Sequence, residues 1–202
     1  MILALDTSTA ACTAALFGAD GSLLARADEV IGRGHAERLV PMIAEMLAGR
    51  TADQILVGCG PGSFTGLRVG IAAAHGMAIG WGASLAGFSS LALLAASAPA
   101  TSGTFAAAMA GGHGELFIQE YDAELTPVGP LMNLPPAMAA KKVAADLVVG
   151  SGAAALVDAR GWGEALDLLP SAANLFRVPE PLRSLRPSPV YARAPDARPK
   201  AA

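Results

Sequence analysis

The sequence predicts an α/β protein whose strand–helix alternation runs twice, and three observations predict it. An apolar run at residues 55–59 has the length and β-branching of a buried strand, and it passes through a glycine-rich turn straight into a helix. The chain opens on three short runs of strand character separated by turn residues, the pattern of an antiparallel meander. Beyond residues 99–103, Pro-Ala-Thr-Ser-Gly, which have linker composition, a new hairpin pattern begins. With 202 residues, 53% of them hydrophobic, the chain is long enough for one or two domains with a substantial core. The expected division is 1–100 and 101–202, the second part smaller, shortened and ending in a proline-rich basic tail.

In order, residues 1–6 read as a strand ending in the polar cluster Asp6, Thr7, Ser8 and Thr9. Residues 11–17 follow as a second strand, 18–21 as a hairpin turn and 22–27 as a third strand. An acid and hydroxyls at the end of a first strand either suit a phosphate or magnesium site or cap a turn. Residues 32–39 introduce a helix with Ala36, Leu39, Val40, Ile43, Met46 and Leu47 as its apolar stripe; Pro41 either kinks it or marks a late start. Four residues after His35 stands Leu39 and not a second histidine, so a zinc helix of the H-x-x-x-H kind is excluded there, and a polar cap or contact is the expected role of His35.

In the glycine turn, Gly60 and Gly62 open backbone angles closed to other residues, and Pro61 stiffens the turn. Ser63 or Thr65 is placed to cap a helix beginning near Gly66. The arrangement is either an anion cradle or a tight connection made for packing. A Walker A loop is excluded, because Leu67 and Arg68 stand where Lys and Ser or Thr are required. A dinucleotide fingerprint is excluded for want of G-x-G-x-x-G with its ribose acid. The helix behind the turn mixes Gly70, Ala72, Ala73, Ala74, Gly76, Ala78 and Gly80 with larger apolar residues, and Arg68 is its only certain charge. Having no polar face, it either lies inside the domain or meets another chain.

A short strand at 84–88 and a helix from Ser89 or Ser90 to Ala98 complete the first half. Strands at 104–109 and 115–121 then pair across 111–114, with a further strand at 144–150 and weak helical character at 166–177. Residues 69–114 hold no Asp, Glu, Lys or Arg, but glycine, serine and Pro99 interrupt that run too often for a membrane span. Met1 leads into Ile2 without a basic n-region, so no secretory leader is expected and the chain reads as cytoplasmic. Cys12 and Cys59 sit in apolar runs and are expected to be buried thiols, not a disulfide or metal pair. The net charge of −3, with no aromatic platform among the tail arginines, argues against a nucleic-acid module.

Asp6-Thr7-Ser8, the run R-G-H-A-E-R-L at 33–39, the contiguous G-P-G-S-F-T-G-L-R at 60–68 and S-P-V-Y-A-R at 188–193 together resemble the bacterial TsaB family, also called YeaZ, in order and over nearly the whole chain. The resemblance implies a two-lobed actin, sugar-kinase and Hsp70-like fold (ASKHA, ribonuclease H-like) and work in making threonylcarbamoyl-adenosine at position 37 of transfer RNA. The family is similar to the transferase TsaD, once labelled a glycoprotease, whose metal-binding helix carries H-x-x-x-H. Ser90 and Leu94 occupy those two positions here, and neither side chain suits iron or zinc. The resemblance therefore implies a non-catalytic paralogue that supports TsaD, with no catalytic residue and no metal.

It also implies TsaD and the ATPase TsaE as partners, tRNA reached through the complex, and a homodimer when the chain is alone. Pairing would run through the two helices after R-G-H-x-E-R-L and the glycine turn, with His35, Leu39, Ile43, Leu67, Arg68, Ile71, Ala74, His75 and Ala78 as the expected interface. No cofactor of its own is expected: Asp6, Thr7, Ser8, Gly60, Gly62 and Ser63 offer at most a weak nucleotide or anion site, with ATP and magnesium at the level of the complex. Where the family has a charged turn of the D-A-R kind, this chain has Met109-Ala110-Gly111-Gly112-His113. The rival reading is an ATP-dependent kinase or metallopeptidase of the same fold acting alone. A kinase needs a second acidic nucleotide loop, whereas Asp146 precedes a strand, and a peptidase needs the two histidines.

Overall fold

The apolar runs at the start of the chain pair as β1 (Ile2–Asp6), β2 (Ala11–Phe17) and β3 (Leu23–Val30), an antiparallel meander in the computed structural model, which describes residues 1–190. β3 runs past the expected Ala27 because β2 offers partners as far as Ala11, which pairs with Val30. On the other side of β1, β4 (Gln54–Gly58) and β5 (Ser84–Phe88) add in parallel, giving the order β3-β2-β1-β4-β5. Parallel neighbours need crossover connections. The helices α1 (His35–Leu47) and α2 (Phe64–Trp81) supply them. Pro41 lies within α1, its ring exposed, so it neither ends nor delays the helix.

After α3 (Ser90–Ser97) the same plan repeats. β6 (Phe105–Ala110), β7 (Leu116–Tyr121) and β8 (Pro127–Leu134) form a second meander, and β9 (Leu147–Val149) and β10 (Glu164–Leu166) extend it in parallel, in the order β10-β9-β6-β7-β8. The crossovers here carry α4 (Pro136–Ala139) and α5 (Ala153–Arg160). Both sheets thus place their strands third, second, first, fourth, fifth. This duplicated topology is the two-lobed α/β fold, and the second sheet has as many strands as the first.

Two sequence expectations in the second half change. The strand expected at 144–150 is only Leu147–Val149. The weak helix expected at 166–177 is the end of β10, then Pro170, then a 3₁₀ segment Ala172–Arg177 begun by Ser171, whose side chain accepts from the Ala173 amide. Proline cannot donate into a helix, and the serine offers a short capped turn in its place.

The core has three layers. α1 and α2 close the outer face of the first sheet through Leu39, Ile43, Ile71 and Ala74, and α4 and α5 close that of the second through Ala139 and Leu156. Between the sheets lies α3, where every residue from Leu91 to Ala96 is at most 1% exposed. It shares its cluster with Phe17 of β2 and with Phe105, Met109 and Tyr121 of the second sheet. The chain then returns to the first lobe. The Ala172 amide donates to Thr13 Oγ1 at 2.7 Å, Leu185 bridges to Gly87, and the Val190 amide donates to the Cys59 carbonyl at 2.8 Å.

Candidate functional site

A cleft of about 1230 Å³ opens between the lobes. Its first-lobe wall is Ser8 and Thr9 after β1, Gly32 and Arg33 before α1, and Gly62 to Thr65 with Leu67 and Arg68 at the start of α2; its second-lobe wall is residues 109–113 at the tip of the β6–β7 hairpin, with Phe117 and Ser151. Leu169 and Val190 line it as well.

The glycine turn is held by close packing. Ser63 caps α2, its hydroxyl accepting from the Gly66 amide at 3.2 Å, so the helix starts at Phe64, two residues before the expected Gly66. The Ser63 amide donates to the Ser8 carbonyl at 2.7 Å, and Thr7 Oγ1 donates to the Gly66 carbonyl at 2.7 Å. A Cβ on Gly66 would sit 2.0 Å from the Thr7 carbonyl oxygen, which is why glycine stands there. Gly60, at φ +99°, supplies a backbone angle that other residues rarely adopt.

Asp6 does not face this cleft. Its carboxylate is 0% exposed and accepts from the Ser8 amide at 2.8 Å, Ser8 Oγ at 2.6 Å and Ser90 Oγ at 2.6 Å. Ser90 Oγ in turn accepts from the Gly60 amide at 3.0 Å. Burial pushes the Asp6 carboxyl above its ordinary range, and the hydrogen bonds from Ser8 and Ser90 pull part of the way back. The expected site thus divides: Ser8, Gly62 and Ser63 line the cleft, while Asp6, Thr7 and Gly60 form the buried brace behind it. A magnesium-bound nucleotide needs an accessible carboxylate on the cation. Asp6 is sealed by its own partners, and among the described residues no carboxylate lines the cleft. The residues present do not fit a magnesium-held phosphate.

Ser90 and Leu94 are 0% and 1% exposed and lie in the layer between the sheets. Cys12 and Cys59 are free and buried, and burial pushes both thiols up to about 11, away from thiolate chemistry. His35 is buried and its Nε2 donates to the Ala11 carbonyl at 3.2 Å, tying α1 to β2.

The expected interface residues fall on both sides of their helices. His35, Leu39, Ile43, Leu67, Ile71 and Ala74 are buried in the chain's own core, and only Arg68 and His75 are exposed, with Ala78 between. The reason is geometric: a helix whose small residues lie on both sides can press one side on the sheet and leave the other uncovered. The uncovered side of α2 carries Phe64, Ala72, Gly76 and Ile79, and beside it α1 shows Ala36, Val40 and Ala44. Ile79 is 83% exposed and Phe64 is 55% exposed, with the Arg68 guanidinium 3.5 Å over the Phe64 ring. Sequence reasoning had no signal for Phe64 or Ile79, because alternation of small and large residues does not say which side faces the sheet. Of the S-P-V-Y-A-R motif, Tyr191, Ala192 and Arg193, with the rest of the basic tail, lie outside the described residues.

The duplicated sheets and the cleft between them define a two-lobed α/β protein of the actin and sugar-kinase type. A family model described as TsaD, tRNA N6-adenosine threonylcarbamoyltransferase, matches residues 28–145. The structure titled YeaZ from Pseudomonas aeruginosa is similar at a TM-score of 0.77 and 32% identity, covering 94% of this chain and 98% of that one. Another structure, described as an uncharacterized protein with similarity to peptidase YeaZ from the same organism, gives a TM-score of 0.80 and 33% identity over 95% and 99%. The tRNA threonylcarbamoyladenosine biosynthesis protein TsaB of Escherichia coli is 38% identical over 130 residues, 61% of this chain and 55% of that protein. An uncharacterized protein of Mycobacterium leprae is 46% identical over 90 residues, 40% of this chain and 25% of that protein. The match thus spans about half of the E. coli protein and a quarter of the M. leprae one. The chain belongs to the TsaB (YeaZ) family.

Proposed function

We propose that this protein is a non-catalytic subunit of the machinery that makes threonylcarbamoyl-adenosine at position 37 of tRNA, where it binds and supports TsaD. The observation that carries the reading is the Asp6–Ser90–Gly60 brace. At the two positions where TsaD-like enzymes would present histidines, Ser90 ties a buried carboxylate to the glycine turn and Leu94 fills the layer between the sheets. These groups serve packing and are out of reach of any substrate. The exposed sides of α1 and α2 then have a use, as an apolar surface for TsaD and, in its absence, for a second copy of this chain. TsaE and ATP act on the assembled complex, and tRNA is reached through it, in the cytoplasm.

The test is co-purification of this chain with TsaD of the same organism, followed by an assay of threonylcarbamoyl transfer to tRNA. Transfer is expected only with both chains present and the isolated chain inactive. Transfer by this chain alone, or full activity of TsaD, TsaE and tRNA without it, would refute the reading.

A further inference from the structure

The edges of the two sheets are not alike. On the first sheet the edge at β5 is closed by the returning chain, where Leu185 and Gly87 exchange backbone hydrogen bonds. On the second sheet the edge strand β8 carries Pro127 and Pro130, and the other edge strand, Glu164–Leu166, is very short. Covering, prolines and shortness are devices that keep edges from pairing with other chains. β3 has none of them: it is 8 residues long, holds no proline and stands uncovered at the end of its sheet among the described residues. The Ile31 amide donates to the Ala10 carbonyl, and hydrogen-bonded pairs alternate along an antiparallel ladder. Ala25, Ala27 and Glu29 therefore bond to β2, and the amides and carbonyls of Arg26, Asp28 and Val30 point away from it. The ladder is regular from Ala25 to Val30, its register shift lying beyond, at the Leu24 end. By the period of two, the side chains of Leu24, Arg26, Asp28 and Val30 share a face, and all are exposed, Val30 by 75%.

We infer that β3 pairs with β3 of a second copy of this chain, antiparallel about a two-fold axis at Ala27, so that one sheet runs through both first lobes. Charges on an edge strand ordinarily block such pairing. Here their order is self-complementary: with Ala27 opposite Ala27, Arg26 of each copy faces Asp28 of the other, and Leu24 faces Val30. Moving the axis to Arg26 or to Asp28 sets like charges directly opposite, which is destabilising, and so the charges select the register. The same register brings the outward amide and carbonyl of Arg26 against those of Asp28, as a hydrogen-bonded pair requires. The Asp28 carboxylate is held in position by the Thr13 and Ser171 hydroxyls, and Arg26 takes part in no ion pair among the described residues. Two identical patches related by a two-fold axis close on themselves, so the product is a dimer and not a fibre. The edge is separate from the apolar side of α1 and α2, and the inference does not depend on the role proposed above.

Amide hydrogen exchange and sedimentation equilibrium of the full chain test it. The amides of Arg26, Asp28 and Val30 should exchange fast in dilute solution and about tenfold more slowly in concentrated solution. Arg26→Asp and Asp28→Arg each set like charges opposite one another in the pair and should each weaken association about tenfold. An equimolar mixture of the two should regain the native association to within about threefold, because every charge then faces its opposite. Val30→Pro removes an outward amide without touching the bonds to β2, so it should weaken association about as much while melting stays unchanged. It needs no change at Asp28, whose bonds to Thr13 and Ser171 make Asp28→Arg the variant most at risk of misfolding. Each variant is also run together with Ile79→Glu, which alters the helix surface and leaves β3 intact, so that the two surfaces are read apart. Exchange of these amides that does not depend on concentration, association indifferent to Arg26→Asp and Val30→Pro, or a mixture of folded Arg26→Asp and Asp28→Arg chains no tighter than either alone would each overturn the inference.

Discussion

At the scale of single residues, Asp6 governs how the turn beside the cleft is held. Its two oxygens receive three hydrogen bonds in a fully buried site, so the charged form is supported by neighbours and opposed by burial, and burial prevails. The folded chain therefore keeps the Asp6 proton to a higher pH than the unfolded chain, whose carboxyl titrates near its ordinary value of 3.8. The sign follows: the contribution of this group to stability is fully present below the unfolded value and is lost as pH rises through the folded one. Asp6→Asn has no proton to lose and can keep the bonds from Ser8. Its melting temperature should gain on that of the native chain as pH rises from about 4 to 7. A difference that stays flat, or moves the other way, would mean that Ser8 and Ser90 stabilise the ionised carboxylate more than burial opposes it. None of this was legible beforehand. The acid and its hydroxyls were visible at the end of β1, but the direction of Asp6 depends on Ser90, 84 positions along the chain.

At the scale of elements, two helices of like composition have different fates. Both α2 and α3 lack a polar face, yet α3 is enclosed by two sheets while α2 is covered on one side only. Sequence reasoning brought out the apolar character of α2 but did not separate its buried side from its exposed one, so buried Ala74 stands beside exposed His75 in the expected interface. Ala74 is 0% exposed against the first sheet, and a carboxylate there would be an unpaired charge in the core, costing several kcal/mol. Ala74→Glu should therefore unfold the chain, seen as loss of cooperative melting by circular dichroism. Ile79→Glu, on the uncovered side, should leave melting within about 0.5 kcal/mol of the native chain and should weaken self-association in analytical ultracentrifugation. If Ile79→Glu leaves association intact, the partner surface is not this side of α2. β8 has no counterpart in the sequence reading. It carries Pro127, Gly129 and Pro130, and an edge strand tolerates proline because one side of it needs no ladder bonds.

At the scale of the molecule, the strand order written twice sets the lobes apart, and the chain's path joins them again. α3 contributes one continuous layer to both sheets, and the returning segment adds Leu175 and Val178 to that layer at 0% and 1% exposure. Arg177 donates to the carbonyls of Ala96 and Ala98 at the end of α3, so the return is fixed to the helix that joins the lobes. The expected division near residue 100 makes no provision for this return, because contacts between residues 172 and 13 or 185 and 87 leave no local pattern. A shared layer of this kind implies that the lobes unfold together. The two tryptophans provide a test: Trp81 closes α2 in the first lobe, and Trp162 precedes β10 in the second, beneath the Arg160 guanidinium. Trp162→Phe leaves fluorescence reporting the first lobe, and Trp81→Phe leaves it reporting the second. In urea, fluorescence and circular dichroism should give coincident transitions within each variant. Leu175→Ala, which opens a cavity in the shared layer, should lower stability by about 2–5 kcal/mol and move both tryptophan reports together. Separate midpoints, or a Leu175→Ala shift confined to one tryptophan, would show that each lobe is stable by itself and that the layer between them is a contact and not a common core.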